Sequence, residues 1–175
     1  LTQIKLFEKM ILDDKTYEIK GKNSIHRFLE RNIWILDEGY SVYRSNQELR
    51  TYIGKEFSKE DKKYEKKKPD FACTTYKNDL VIAEIKRPKH KLAMGDLNQI
   101  ELYRSKAKKY SSQKFNVSDA YLIVKSIPDD LRDIADERKR INIYVKTYQE
   151  VIKEVEERYQ ELHKILEQEM ENFNL

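Results

Sequence analysis

Glycine is scarce in this sequence, with four in 175 residues, and cysteine occurs once, at Cys73. So few glycines leave no Gly-rich loop to cradle phosphates, which argues against a nucleoside triphosphatase. A lone cysteine cannot make an internal disulfide. A reducing, cytoplasmic setting is therefore expected, with Cys73 as a structural thiol in a strand. No apolar run approaches the roughly 18 residues of a membrane helix, and no signal-peptide pattern is visible, so no membrane partner is expected. The histidines His26, His90 and His163 lack metal-ligand spacing. His90, set among lysines, is at most a phosphate contact. No Ser-His-Asp arrangement has supporting sequence, and internal repeats and low-complexity linkers are missing. The chain opens on Leu1 rather than methionine, which points to one module of a longer protein.

Charge, in contrast, is abundant. Thirty-five basic residues stand against 31 acidic ones, a net charge of +4, while hydrophobic residues make up 39%. Twelve tyrosines, six phenylalanines and several β-rich runs argue for a folded domain, and the length suffices for one core with an appended helix. The basic residues are unevenly placed. Lys66, Lys67 and Lys68 precede Pro69, then Lys86, Arg87, Lys89 and Lys91 follow the next apolar run, and Arg104, Lys106, Lys108 and Lys109 come later. Residues 154–171 are acidic. Such a cluster suits a phosphate-bearing partner, although a solvated face has the same composition.

Apolar spacing predicts a short helix over 2–12 and a second over Ile25–Arg31, capped by Ser24. Ile33–Tyr43 (IWILDEGYSVY) reads as strand, interrupted by a turn at Asp37-Glu38-Gly39. Residues 45–68 read as a loop or an exposed helical excursion. Phe71–Tyr76 and Leu80–Lys86 predict a hairpin about Lys77-Asn78-Asp79. A helix follows from Gly95-Asp96 to about Tyr110, then strands at Ala120–Val124 and Ile141–Val145. Tyr148, Val151, Val155, Tyr159, Leu162, Leu166, Met170 and Phe173 fall in an 11-residue repeat. They predict one long helix that packs back along the domain or pairs with a partner helix. The order implies an α/β domain with a mixed sheet. Its expected division is a helical extension at 1–22, a core at 23–146 and the C-terminal helix at 147–175.

Glu-x-Lys patterns are common in so charged a chain, and Glu-Ile-Lys itself occurs twice. Context distinguishes Glu84-Ile85-Lys86. It ends an apolar strand, and alternation puts Glu84 and Lys86 on one face. A three-residue turn at 77–79 would set Asp70 opposite Lys86 and Ala72 opposite Glu84, on that same face. Asp70 and Glu84 then become diagonal neighbours, about 7–8 Å apart at the backbone. A two-residue turn would send Asp70 to the other face. Paired carboxylates suit Mg²⁺, which keeps several waters and accepts phosphate oxygens. Such an ion acidifies its water and neutralises charge developing on phosphate, and a neighbouring lysine can orient the nucleophile. Without the context, Asp70 merely starts a strand and Glu84 with Lys86 is a same-face pair at a sheet edge.

Pro69-Asp70, followed by Glu84-Ile85-Lys86, resembles the PD-(D/E)xK nuclease superfamily, the restriction-endonuclease-like fold. Gln99-Ile100-Glu101-Leu102-Tyr103 resembles the Q-x-x-x-Y element of many such nucleases. Ser24–Trp34 (SIHRFLERNIW), with PDF and EIKRP, is similar to the Shedu-type branch associated with anti-phage defence. Together these cover about 24–124. The resemblance implies an αβββαβ core, here followed by the long C-terminal helix, and a Mg²⁺- or Mn²⁺-dependent endonuclease acting on DNA. It implies Asp70 and Glu84 as metal ligands with the Ile85 carbonyl, and Glu30 as a further candidate ligand. Lys86 would be the catalytic lysine, with Gln99 and Tyr103 accessory. Lys66, Lys67, Lys68, Arg87, Lys89, Lys91 and Lys106 are the expected nucleic-acid contacts. A homo-oligomer, dimeric or larger, is expected through the C-terminal helix. The competing expectation is an inactive nucleic-acid-binding or dimerisation module on the same fold.

Overall fold

The computed structural model describes residues 2–17, 24–51, 56–111 and 114–173. Two helices lead, α1 (Thr2–Ile11) and α2 (Ile25–Arg31), the second capped by Ser24, whose hydroxyl accepts from the Arg27 amide at 3.1 Å. One five-stranded sheet follows in sequential order: β1 (Ser41–Ser45), β2 (Phe71–Thr74), β3 (Asp79–Ile85), β4 (Asn116–Val124) and β5 (Ile143–Thr147). β1, β2 and β3 are antiparallel neighbours, whereas β3, β4 and β5 are parallel. The connections account for the change. β2 and β3 share a tight turn, but the parallel pairs need crossovers, supplied by α3 (Met94–Ser111) and α4 (Asp129–Glu137). The chain closes with α5 (Tyr148–Phe173).

Strand alternation divides the interior into two layers. Leu80 and Ile82 of β3, with Ala72, Leu122 and Val124, pack against Leu97, Ile100, Tyr103 and Ala107 of α3. Val81, Ala83 and Ile85, with Phe71 and Cys73, face Ile4 and Phe7 of α1, Ile25 and Leu29 of α2, and Tyr148, Val151, Ile152 and Val155 of α5. β3 is covered on both faces, which is why DLVIAEI carries almost no polar alternation. The sequence α2-β1-β2-β3-α3-β4 reproduces the expected αβββαβ order, and the long C-terminal helix is present.

Local differences have local causes. Ile33–Ile35 form a 3₁₀ turn, not a strand, and β1 begins only at Ser41. The chain leaves α2 there, and buried Ile33 and Ile35 with half-buried Trp34 mimic strand alternation. α4 went unread because its sequence is so polar. Its start nevertheless follows Pro128 and carries Asp129 and Asp130 in the first turn, as helix starts often do. β5 starts at Ile143 rather than Ile141, because a 3₁₀ turn ends at Ile141 and Asn142 takes a left-handed φ of 57°. Residues 18–23, where the N-terminal extension was expected to meet the core, lie outside the described residues.

The hairpin register also differs. Thr74 pairs with Leu80 and Phe71 with Ala83, two residues from the expected register. The Thr75 hydroxyl widens the turn by accepting from the Lys77 and Asp79 amides, both at 3.2 Å, and Asn78 adopts a φ of 63°. An even slip keeps every side chain on its face. Continued past β2, this register brings Asp70 level with Glu84 rather than Lys86. The Asp70 amide donates to Glu84 Oε2 at 3.2 Å.

Candidate active site

Pro69 and Asp70 enter β2 from one side while Glu84, Ile85 and Lys86 leave β3 beside them. The two carboxylates meet in the interior, Asp70 6% and Glu84 7% exposed. Asp70 Oδ2 accepts from the Ile85 amide at 2.8 Å, and its carbonyl accepts from the Asn46 amide at 2.8 Å. Burial pushes both acids above the ordinary carboxylate range. The charge of Asp70 raises Glu84 further, and Lys86 opposes the rise in both.

Lys86 brings a cation to Glu84. Its ammonium donates to Gln99 Oε1 at 2.6 Å and lies 3.3 Å from Asp96 Oδ1 and 3.5 Å from Glu84 Oε1. Its amide pairs with the Ile123 carbonyl at 2.8 Å, and its carbonyl accepts from the Tyr148 hydroxyl. α3 supplies the opposite wall. Gln99 donates to Glu84 Oε1 at 3.2 Å and to the Tyr103 hydroxyl at 2.9 Å. Gln99 and Tyr103 also line a cleft of about 250 Å³ with Lys67, Gly95, Asn98 and Leu102. Asp70, Glu84, Lys86, Gln99 and Tyr103 therefore form one linked group at the cleft.

Other expected residues sit elsewhere. Glu30 is held by Arg27 at 2.6 Å and by Ser45, and no hydrogen bond or ion pair joins it to Asp70 or Glu84. Burial opposes its ionisation, but these two partners outweigh it and lower its pKa. Lys106 is committed to Asp61 at 2.6 Å, which also takes Lys109 at 2.8 Å and the Tyr110 hydroxyl at 2.7 Å. That bracket fastens residues 56–64 to α3. Lys66, Lys67, Lys68, Arg87, Lys89 and Lys91 are exposed on the segments that flank the pair.

Three residues gain a place that sequence reading did not assign. Asp96 shares a helical stripe with Gln99 and Tyr103 through spacings of three and four, a signal present in the sequence. His90 Nε2 lies 2.7 Å from Asp96 Oδ2. His26 stacks on Phe71 with ring centroids 4.6 Å apart, and its Nε2 reaches the Asp70 carbonyl at 3.3 Å. That carbonyl can only accept, so Nε2 carries the proton, and Nδ1 is left buried without a partner. Burial lowers the His26 pKa, which keeps the ring neutral.

The chemistry of the donor set fits a hard divalent cation. Burial raises the pKa of both carboxylates, Asp70 raises Glu84 further, and one lysine only partly offsets them, a surplus of negative charge that such a cation would satisfy. Among the described residues no third His, Cys, Asp or Glu joins them, which suits an ion held largely by water and substrate.

The fold is one that a known nuclease shares. The structure is similar to the crystal structure of a repair endonuclease from Pyrococcus abyssi, with a TM-score of 0.50 and 12% identity over 74% of this chain and 47% of that one. An EndoMS–dsDNA complex aligns with a TM-score of 0.47 and 10% identity, over 69% of this chain and 41% of that one. The chain thus spans less than half of either protein. No family model and no curated protein matches the sequence.

Proposed function

We propose that the chain is a metal-dependent endonuclease module that hydrolyses phosphodiester bonds in DNA. One observation carries the reading. Asp70 and Glu84 are buried side by side against Lys86, an arrangement that costs stability and has no use in packing. Asp70 and Glu84, with the Ile85 carbonyl, would hold Mg²⁺ or Mn²⁺. The bound ion would supply an acidified water and charge neutralisation at phosphate.

The chain's own residues do the rest. Lys86 presents an ammonium to the attacked phosphate and steadies the negative charge that grows there. Gln99 keeps Lys86 and Glu84 in register, its amide oxygen accepting from Lys86 and its amide nitrogen donating to Glu84, and Tyr103 orients Gln99. Lys66, Lys67, Lys68, Arg87, Lys89 and Lys91 hold the phosphate backbone on either side of the cleft. The likeness of Ser24–Trp34, PDF and EIKRP to the Shedu-type branch favours a cytoplasmic role in anti-phage defence, as the effector of a larger protein. A second reading, assembly through α5, is favoured by Leu162, Ile165 and Leu166, which are 46%, 50% and 54% exposed.

Plasmid and linear duplex cleavage decides the matter, measured with Mg²⁺, Mn²⁺ or EDTA beside Lys86→Ala. The expected outcome is metal-dependent cutting that the substitution abolishes without loss of thermal stability. Cutting that survives both EDTA and Lys86→Ala would remove this site from the reaction.

A further inference from the structure

Lys86 is restrained by Gln99, Glu84 and Asp96, and the last of these lies outside the nuclease motif. Asp96 stands at the third position of α3 and is 8% exposed. Its two oxygens are differently employed. Oδ2 accepts from the Ala93 amide at 2.9 Å, the back-reaching half of a capping box, and from His90 Nε2 at 2.7 Å. Oδ1 faces the Lys86 ammonium at 3.3 Å. With one oxygen fixed by two donors, the plane and direction of the other are set.

His90 is itself anchored. Its amide donates to the Arg87 carbonyl at 2.8 Å and its carbonyl accepts from the Lys125 amide at 2.8 Å, beyond the end of β4. Asp96 is ionised, since hydrogen bonds from His90 and Ala93 and the charge of Lys86 outweigh its burial. An ionised carboxylate only accepts, so His90 Nε2 carries the proton. The line of restraint therefore runs from β4 through His90 and Asp96 to Lys86.

We infer that Asp96 is a positioning residue for Lys86, with His90 as its support. The inference rests on the nuclease reading of this site. Hydrogen bonds to Gln99 and Glu84 and an ion pair with Asp96 hold the Lys86 ammonium, and the Glu84 contact, at 3.5 Å, is the longest. It is the contact most readily exchanged for a phosphate oxygen. Asp96 and Gln99, both on α3, then keep the ammonium beside Gln99, at the cleft wall, while it serves the substrate. A helix cap alone would not require the second oxygen to face a half-buried lysine.

Asp96→Asn separates the two duties, because an amide oxygen can still cap Ala93 while the charge towards Lys86 is lost. The expected result is a kcat lower by about tenfold or more, with KM for duplex DNA, Mn²⁺ affinity and melting temperature unchanged. Asp96→Glu should recover part of the rate. A second measurement does not depend on cleavage. Reductive methylation of Lys86, followed by mass spectrometry, should proceed faster in Asp96→Asn than in the native chain. Unaltered kcat and labelling in Asp96→Asn would overturn the inference, as would a kcat loss matched by lower thermal stability. If Lys86→Ala itself leaves cleavage intact, the nuclease reading fails instead, and labelling still reports whether Asp96 restrains Lys86.

Discussion

At the scale of single residues, the site is a place where the fold is less stable than its surroundings. Asp70 and Glu84 each have a pKa raised first by burial, and in Glu84 also by its neighbour. A carboxyl raised by folding binds its proton more tightly in the native state. It therefore adds stability below its unfolded value near ~4 and loses it as pH rises through the folded value. His26, lowered by burial, works in the opposite direction, but only below its ordinary value near ~6.5. Between about pH 7 and 8.5, above that range, the melting temperature in EDTA should fall as pH rises. Mn²⁺ should cancel the fall, because the ion needs the ionised pair and competes with its protons. Asp70→Asn should flatten the slope in EDTA and abolish the response to Mn²⁺. A melting temperature that rises with pH over this window without metal would contradict the charge balance described here.

At the scale of elements, α5 has two halves with different work. Tyr148, Val151, Ile152 and Val155 are buried against α1, α2 and the sheet, and half-buried Tyr159 meets Trp34 edge to face at 5.3 Å. Beyond it Leu162, Ile165 and Leu166 face solvent. Removing 162–175 should leave the melting temperature unchanged, whereas removing 148–175 should prevent folding, since the inner layer loses four buried side chains. Light scattering on the full chain and the shorter truncation tests the assembly reading, which requires an oligomer that 162–175 alone sustains. The same helix shows what sequence reveals. Its limits followed from apolar spacing, but which half would be covered depended on α1 and α2, far away in sequence. Parity made the pairing of Asp70 with Glu84 legible as a shared face, although the Thr75 hydroxyl set a register two residues away from the expected one. Asp96 was read only as a helix start. Its second role needs Lys86, ten residues earlier, folded back over α3.

At the scale of the whole molecule, basic charge gathers beside the cleft. Exposed Lys66, Lys67, Lys68, Lys89 and Lys91 lie on the segments that flank the cleft, whereas exposed Glu157 and Glu161 belong to α5, which packs on the other layer. A net charge of +4 thus understates the field that a phosphate backbone would meet at the cleft. Each lysine that neutralises a phosphate releases about one counterion, so it steepens the dependence of log K on log salt by about 0.9. Lys67→Ala and Lys89→Ala should each reduce that slope by about 1 on a duplex, with little change in stability. Lys106→Ala makes the contrast, because its ammonium is bound to buried Asp61 and not offered to solvent. It should lower the melting temperature by loosening 56–64 from α3 and leave the slope unaltered. Fluorescence anisotropy across a salt series, paired with thermal unfolding, separates the two classes. Equal slopes in all three variants would place the DNA on another face of the molecule. A reduced slope in Lys106→Ala would mean that the Asp61 bracket opens when DNA binds.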